Sequence, residues 1–210
     1  MLAGDFQTAI HSYDTRRSGW EAGAQVGCNR QFGGFVVGIE ADLNWADVRN
    51  SVTATYLPFP SANPLFTIST SNETVSTRMD WFSTVRARGG LVFDRWFVFG
   101  TGGLAIAHFR SNTSVVYGAN GTSPVFANAQ HFGSAERTRV GFAFGGGVEY
   151  AWDNNWSIKA EYLYMTFQPW SYSSPLTAPA GVAPGYTWVT SVRAQEHIAR
   201  IGINYRFVGL

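Results

Sequence analysis

Arg200-Ile201-Gly202-Ile203-Asn204-Tyr205-Arg206-Phe207 decides how this chain folds. With a period of two it separates into Ile201, Ile203, Tyr205 and Phe207 on one side and Arg200, Gly202, Asn204 and Arg206 on the other, as alternate residues of a β-strand must. One face is apolar and the other cationic. A sheet surrounded by water would turn the apolar face inward. A barrel surrounded by lipid would turn it outward and keep the arginines in the lumen.

Working back from this octet, the same alternation recurs. Trp156, Ile158, Ala160, Tyr162 and Tyr164 lie opposite Ser157, Lys159, Glu161 and Leu163. Val140, Phe142, Phe144, Val148, Tyr150 and Trp152 lie opposite Gly141, Ala143, Gly145, Gly147 and Glu149. Residues 96–109 are apolar on both faces and leave their register open. Residues 76–93 set Trp81, Val85, Ala87, Leu91 and Phe93 against Thr84, Arg86, Arg88 and Gly90. Residues 35–45 set Phe35, Val37, Ile39, Ala41, Leu43 and Trp45 against Gly38, Glu40, Asp42 and Asn44. Residues 20–29 set Trp20, Ala22, Ala24, Val26 and Cys28 against Glu21, Gly23, Gln25, Gly27 and Asn29.

Short connections at 30–34, with Gly33-Gly34 suited to a tight hairpin, at Asp94-Arg95 and at 153–155 alternate with long polar stretches at 46–75, 110–136 and 168–192. The long stretches, rich in Pro, Ser, Thr and Asn, read as loops. All short turns then fall at one end of the sheet and all long loops at the other.

The polar faces together hold Glu21, Glu40, Asp42, Glu149 and Glu161 against Arg86, Arg88, Lys159, Arg200 and Arg206. Five acids and five bases amid glycine suit a narrow lumen, where an unpaired charge costs several kcal/mol. On the opposite face Trp20, Trp45, Trp81, Trp152 and Trp156 sit at strand ends, as in an interfacial aromatic girdle. Charged residues are only 14%, aromatics 16%, and the net charge of +1 gives no bulk attraction for nucleic acid. Lys159 is the only lysine, so the cations are nearly all the fork-shaped guanidinium. The expected fold is all-β, an antiparallel up-and-down transmembrane β-barrel occupying residues 19–207. Residues 1–18 form an N-terminal segment and 208–210 a C-terminal extension.

The pieces Gly38-Ile39-Glu40-Ala41-Asp42, Val85-Arg86-Ala87-Arg88-Gly89, Thr101-Gly102-Gly103-Leu104-Ala105, Gly145-Gly146-Gly147-Val148-Glu149-Tyr150 and Glu161-Tyr162-Leu163-Tyr164 occur in this order. As a set they resemble the small outer-membrane β-barrel proteins of α-proteobacteria, the porin-family or outer-membrane immunogenic proteins, related in shape to OmpA/OmpX-type barrels. The resemblance implies eight strands and localisation in the bacterial outer membrane. It implies contact with outer-membrane lipids and lipopolysaccharide, insertion by the outer-membrane assembly machinery, and a structural role with loops open to host or environmental ligands. Arg200, Gly202, Tyr205 and Phe207 are similar to the C-terminal insertion signal which that machinery reads, although Val208-Gly209-Leu210 extends past the usual terminal aromatic.

Only seven strands are legible. The strand from Trp20 starts at the long-loop side, and an even count needs one more segment before it. Phe6 to Tyr13 is a weak candidate, and loss of a first strand with its signal peptide is the preferred expectation. Residues 1–17 carry no apolar h-region, and no run of about 18 apolar residues exists for a transmembrane helix.

Candidate chemistry is thin. Gly100-Thr101-Gly102-Gly103-Leu104-Ala105 matches a dinucleotide pattern but precedes no helix, so the glycines are read as relieving crowding. His11, His108, His131 and His197 lack metal-ligand spacing and are read as interfacial or loop residues. Glu196-His197 near Ser191 hints at a lipid-modifying hydrolase without a nucleophile motif. Three glycan-type sequons begin at Asn72, Asn112 and Asn120 and mean little in a bacterium, while Cys28 reads as a small hydrophobe. The expectation is a non-enzymatic barrel with no cofactor or metal, a charge-plugged lumen and no nucleic-acid partner. A narrow porin is the alternative, and a lipid-modifying enzyme the remoter one.

Overall fold

A computed structural model describes residues 18–60, 67–120, 129–177 and 187–207. One antiparallel sheet runs in the order β1 (Ser18–Phe32), β2 (Phe35–Tyr56), β5 (Ser71–Phe93), β6 (Trp96–Tyr117), β7 (Gln130–Ala151), β8 (Trp156–Phe167) and β11 (Gln195–Tyr205). A two-residue ladder, β3 (Phe59–Pro60) with β4 (Thr67–Ile68), lies between β2 and β5. β9 (Trp170–Thr177) and β10 (Thr187–Val192) pair with each other and prolong the walls begun by β8 and β11. Every strand pairs with its predecessor or successor in the wall, the up-and-down arrangement that the turn pattern anticipates.

The short turns close where the residues allow it. Gly33 adopts φ +62°, which a side chain would disfavour, and Asp94 takes φ 53° at the next turn. At the third, the Asp153 carboxylate accepts the Asn155 and Trp156 amides at 2.7 Å each, a local turn bond typical of Asp.

The outward face of the lower wall is a continuous apolar band. Successive rows across β2, β5, β6 and β7 are Phe35-Leu91-Val98-Val148, Ala41-Val85-Leu104-Phe142 and Leu43-Ser83-Ile106-Val140. On β11 Ile201 is 81% exposed, which is tenable only where the surroundings are apolar. The band ends upward at the row Trp45-Trp81-His108, with Trp81 stacked on His108 at 6.2 Å. Downward it ends at Trp96, Tyr150, Trp152, Trp156, Tyr205 and Phe207. Ten residues separate Phe35 from Trp45; at ~3.3 Å per residue and a tilt of ~40° that is about 25 Å of height, the apolar thickness of an outer-membrane barrel.

Two sequence expectations change. The polar stretches 46–75, 110–136 and 168–192 are not mainly loops: β2 runs to Tyr56, β5 starts at Ser71, β6 runs to Tyr117, β7 starts at Gln130, and β9 and β10 fill much of the third stretch. Above the Trp45-Trp81-His108 row the polarity of the wall inverts. Ser51, Ser76, Asn112 and Ser134 now line the outside, while Met79, Phe109, Val115 and Tyr117 are buried inside. A wall leaving lipid for water must exchange its faces in this way, and Ser, Thr and Val on such a wall still favour strand.

Register also shifts at this level. One shift separates Trp45 from Val48 against β5, and a second bulge at Asp80 separates Met79 from Trp81 against β6. Another break falls at Gln168-Pro169 between β8 and β9, where proline cannot donate to a ladder. In β6 the open register resolves with Phe99, Ala105, Ala107 and Phe109 inside.

Among the described residues β1 pairs only with β2, and β11 only with β8. Side chains nevertheless cross between these edges: Gln25 on β1 donates to Asn204 on β11, and Lys159 Nζ on β8 donates to Gln25 Oε1 at 2.6 Å. The walls therefore surround a common interior. Phe6 to Tyr13, the candidate additional strand, lies outside the described residues, as does His11.

Candidate functional site

The interior is stacked in three layers. Nearest the short turns is an ion-pair network built by the inward positions of β2, β5, β7, β8 and β11. Arg86 is its centre, its side chain fully buried, with Glu40 at 2.5 Å, Glu161 at 2.6 Å and Asp42 at 3.0 Å. Arg200 reaches Glu161 at 2.8 Å and Asp42 at 2.9 Å from the far wall. Lys159 lies 3.0 Å from Glu40, and Arg88 bridges Glu40 at 3.2 Å to Glu149 at 2.6 Å. Arg88 also stacks over Phe97 and Phe99, 4.9 and 4.3 Å from their ring centres.

Neutral groups complete the carboxylates' bonding. The Thr84 amide and hydroxyl donate to Asp42 at 3.1 and 2.9 Å, and Ser157 and Asn204 donate to Glu149 at 2.5 and 3.0 Å. Four acids and four bases balance, so the network itself carries no net charge into the low-dielectric lumen.

Glycine lets the walls approach beside the network: a methyl group on Gly147 would collide with the Ala160 carbonyl and come within 3.0 Å of Phe99 Cζ, a ring over which Arg88 stacks.

Two expected members stand apart. Arg206 is exposed at the short-turn end, donating to the Asn154 carbonyl at 2.6 Å; it lies just past the end of β11, so its guanidinium ties down a turn and is not a lumen partner. Glu21 is half-buried and in the field of Arg200, but has no ion pair within 4 Å among the described residues.

Above the charges is an apolar layer of Met79, Phe82, Phe109, Leu163, Met165, Phe167 and Ile198, capped by Trp170 and Val192. Phe109 packs edge-on against Phe167 and beside Trp170, both at 5.1 Å. Above that, in the part of the wall beyond the lipid band, is a polar layer. Thr113 shares hydrogen bonds with Tyr172 at 2.6 Å and Thr190 at 3.0 Å, and Trp188 donates to buried Glu73 at 3.0 Å. His131 Nδ1–H donates to the Ser174 carbonyl at 2.9 Å, and burial holds this imidazole below its ordinary pKa. Burial, with Glu73 nearby, pushes the Tyr117 hydroxyl up to about 12. The polar layer is hidden in the sequence because its residues lie in stretches read as loops, whereas Met79, Phe82, Phe109 and Leu163 of the apolar layer lie on strands whose inward packing the alternation does not disclose.

The remaining candidates are dispersed. Gly100 to Ala105 lie within β6, where no helix N-terminus exists to receive a phosphate. Glu196 is buried inside, whereas His197 points outward and bonds the Tyr162 hydroxyl at 2.6 Å. Adjacent strand residues face opposite ways, so the two cannot act as one acid–base pair. Cys28 is exposed on the outward face of β1. Trp20, Trp45, Trp152 and Trp156 are exposed and Trp81 half-buried on the outer wall. Tyr205 and Phe207 are exposed, and Gly202 faces open space with nothing within 4 Å of a would-be Cβ. Among the described residues no group of three His, Cys, Asp or Glu is arranged to hold a metal.

Comparison with known proteins agrees with this architecture. The model of the outer membrane protein beta-barrel domain matches residues 3–207. The 31 kDa outer-membrane immunogenic proteins of Brucella melitensis and Brucella suis are each 32% identical over 205 residues, covering 97% of this chain and 72% of theirs. The 22 kDa outer membrane protein of Rhizobium leguminosarum is 25% identical over 171 residues, covering 80% of this chain and 60% of its own. The chain belongs to the outer membrane protein beta-barrel domain family, and its place is the outer membrane. None of these names denotes an enzyme.

Proposed function

We propose that this outer-membrane barrel is a non-conducting structural element of the envelope, its lumen plugged by paired charges, which carries a β-walled rim and its loops to the cell exterior. The observation that carries this reading is the filled interior. Arg86, Phe82, Phe109, Leu163 and Met165 are all under 2% exposed and span the lumen at two heights. A conducting pore needs a continuous wet path, whereas a narrow barrel has an interior that side chains just fill. The word immunogenic in the names of the Brucella relatives supports exposure of the rim to the surroundings. No enzymatic step is assigned, since Glu196 and His197 lie on opposite faces.

The test is single-channel recording in planar bilayers with the full chain folded from detergent. The wild-type protein is expected to leave the membrane silent. Reproducible conductance steps would overturn the plug and restore the narrow-porin alternative. Turnover of lipid A or phospholipid, abolished by His197→Ala, would overturn the non-enzymatic part.

A further inference from the structure

One patch of the outer wall is unexplained by packing or by the lumen. Immediately above the Trp45-Trp81-His108 row, three arginines stand directly opposite one another across the ladder: Arg49 pairs with Arg78, and Arg78 with Arg110. Like charges in directly opposed positions destabilise a sheet. Two such pairs in one row, covering two strand spacings or about 10 Å, are tenable only with carboxylates beside them.

Asp47, Asp80 and Glu136 supply that charge. Asp47 holds Arg49 through both Nε at 2.7 Å and Nη2 at 2.8 Å. Asp80, placed outside by its bulge, lies 3.1 Å from Arg78 Nε and 2.9 Å from Arg110 Nε. Asp47 also lies 3.0 Å from Arg78 Nε and Glu136 3.4 Å from Arg110 Nε, so both guanidiniums face carboxylates on their Nε side. Among the described residues their Nη atoms make no hydrogen bond, and their side chains are 42% and 52% exposed. Two positioned guanidinium forks remain, of the kind that bind phosphate in two-pronged fashion.

The next two rows outward are Ser76-Asn112-Ser134 and Thr74-Ser114-Phe132. They line a shallow concavity of about 330 Å³ with Thr113 and Gly133. Phe132 is 51% exposed beside these hydroxyls and the amide, a surface suited to a sugar ring. From the membrane outward, the wall reads apolar, then aromatic, then arginine, then hydroxyl-rich groove. A phosphorylated glycolipid reads acyl chain, then phosphate, then saccharide in the same direction.

We propose that this part of the outer wall, from β2 to β7, binds one phosphorylated glycolipid of the outer leaflet. Arg78 and Arg110 take its phosphate, and the Ser76–Asn112–Phe132 groove takes its saccharide. The arginines are balanced by Asp47, Asp80 and Glu136, so recognition rests on directed hydrogen bonds and not on a bulk positive field.

The test is calorimetric titration of the full chain in detergent micelles with bisphosphorylated lipid A and with its dephosphorylated form. The wild type is expected to bind the phosphorylated form about tenfold more tightly, the worth of one charge-assisted contact. Arg78→Gln combined with Arg110→Gln is expected to erase that preference, while Arg30→Gln, an exposed arginine near the short-turn end, leaves it intact. Should the double variant fail to reach the heat-modifiable folded form, Arg110→Gln alone should still cut the preference by about threefold. Equal binding of the two lipid forms by the wild type, or an equal loss with Arg30→Gln, overturns the phosphate site. Phe132→Ala is expected to weaken lipid A that carries core sugars and to spare lipid A alone; equal effects on both, or no effect, overturn the saccharide groove.

Discussion

Replacing Arg86 by Met should be among the most damaging single changes available in the barrel. The guanidinium is fully buried and touches three carboxylates, Glu40, Asp42 and Glu161, whose side chains are only 5%, 1% and 1% exposed. With Arg86 gone, the four acids of the network face three bases, Arg88, Lys159 and Arg200. One negative charge is left in a low-dielectric space. Removing one partner of a buried pair costs about 3–5 kcal/mol. Arg200 still lies 2.9 Å from Asp42 and 2.8 Å from Glu161, and Lys159 3.0 Å from Glu40, so the low end, about 3 kcal/mol, is expected. That lowers the folding equilibrium constant roughly 150-fold.

Charge balance, and not lost packing, is the claimed cause, which a double variant isolates. Arg86→Met with Glu161→Gln restores three acids to three bases. It should be less unstable than the sum of the two single changes by about 1–3 kcal/mol. The assay is urea unfolding in lipid vesicles, followed by tryptophan fluorescence and by heat-modified gel migration. A loss below about 0.5 kcal/mol for Arg86→Met, the value of an exposed pair, would refute the reasoning, as would strict additivity.

Phe109→Ala should cost about 3–5 kcal/mol by opening the apolar layer, yet remain silent in bilayers because the charge layer beneath still blocks the lumen; unfolding midpoints and conductance check both halves. For His131, burial depresses the folded pKa below the ordinary 6.5. Between those two values the unfolded chain binds more protons, so stability should fall as pH drops below about 6.5 and level off below the folded pKa; His131→Gln should flatten that slope in urea unfolding. At the third short turn, the Asn155 and Trp156 amides hold the exposed Asp153 carboxylate below its usual pKa. Its contribution is present above about pH 3.8 and is lost as pH falls through the folded value, so wild type and Asp153→Ala should converge in acid. Finally, amide hydrogen exchange should find residues 48–56, 71–79, 109–117 and 130–138 protected at ladder level, as strand and not loop.

The lower barrel was legible because lipid outside and charge inside give a strand the highest contrast an alternating pattern can have. Ile201 against Arg200, or Val85 against Arg86, states its facing without any partner in view, and the acids and bases of the network could be gathered before their strands were arranged. Above the membrane the contrast collapses. Thr74, Asn112 and Ser134 outside differ little in polarity from Ser71, Ser111 and Thr113 inside, so extended walls read as loops. A bulge at Asp80 and a proline break at 168–169 then shifted the parity on which the reading depends.

What can be read along the chain is therefore local and periodic: the strands of the membrane band, their facing, the short turns and the family they resemble. Strand pairing adds which charges meet, that Arg206 leaves the lumen for a turn, that Glu196 and His197 part to opposite faces, and that Arg49, Arg78 and Arg110 stand in one row. Those facts depend on register and on the far wall, and register is a property of strand pairs, which no single strand encodes.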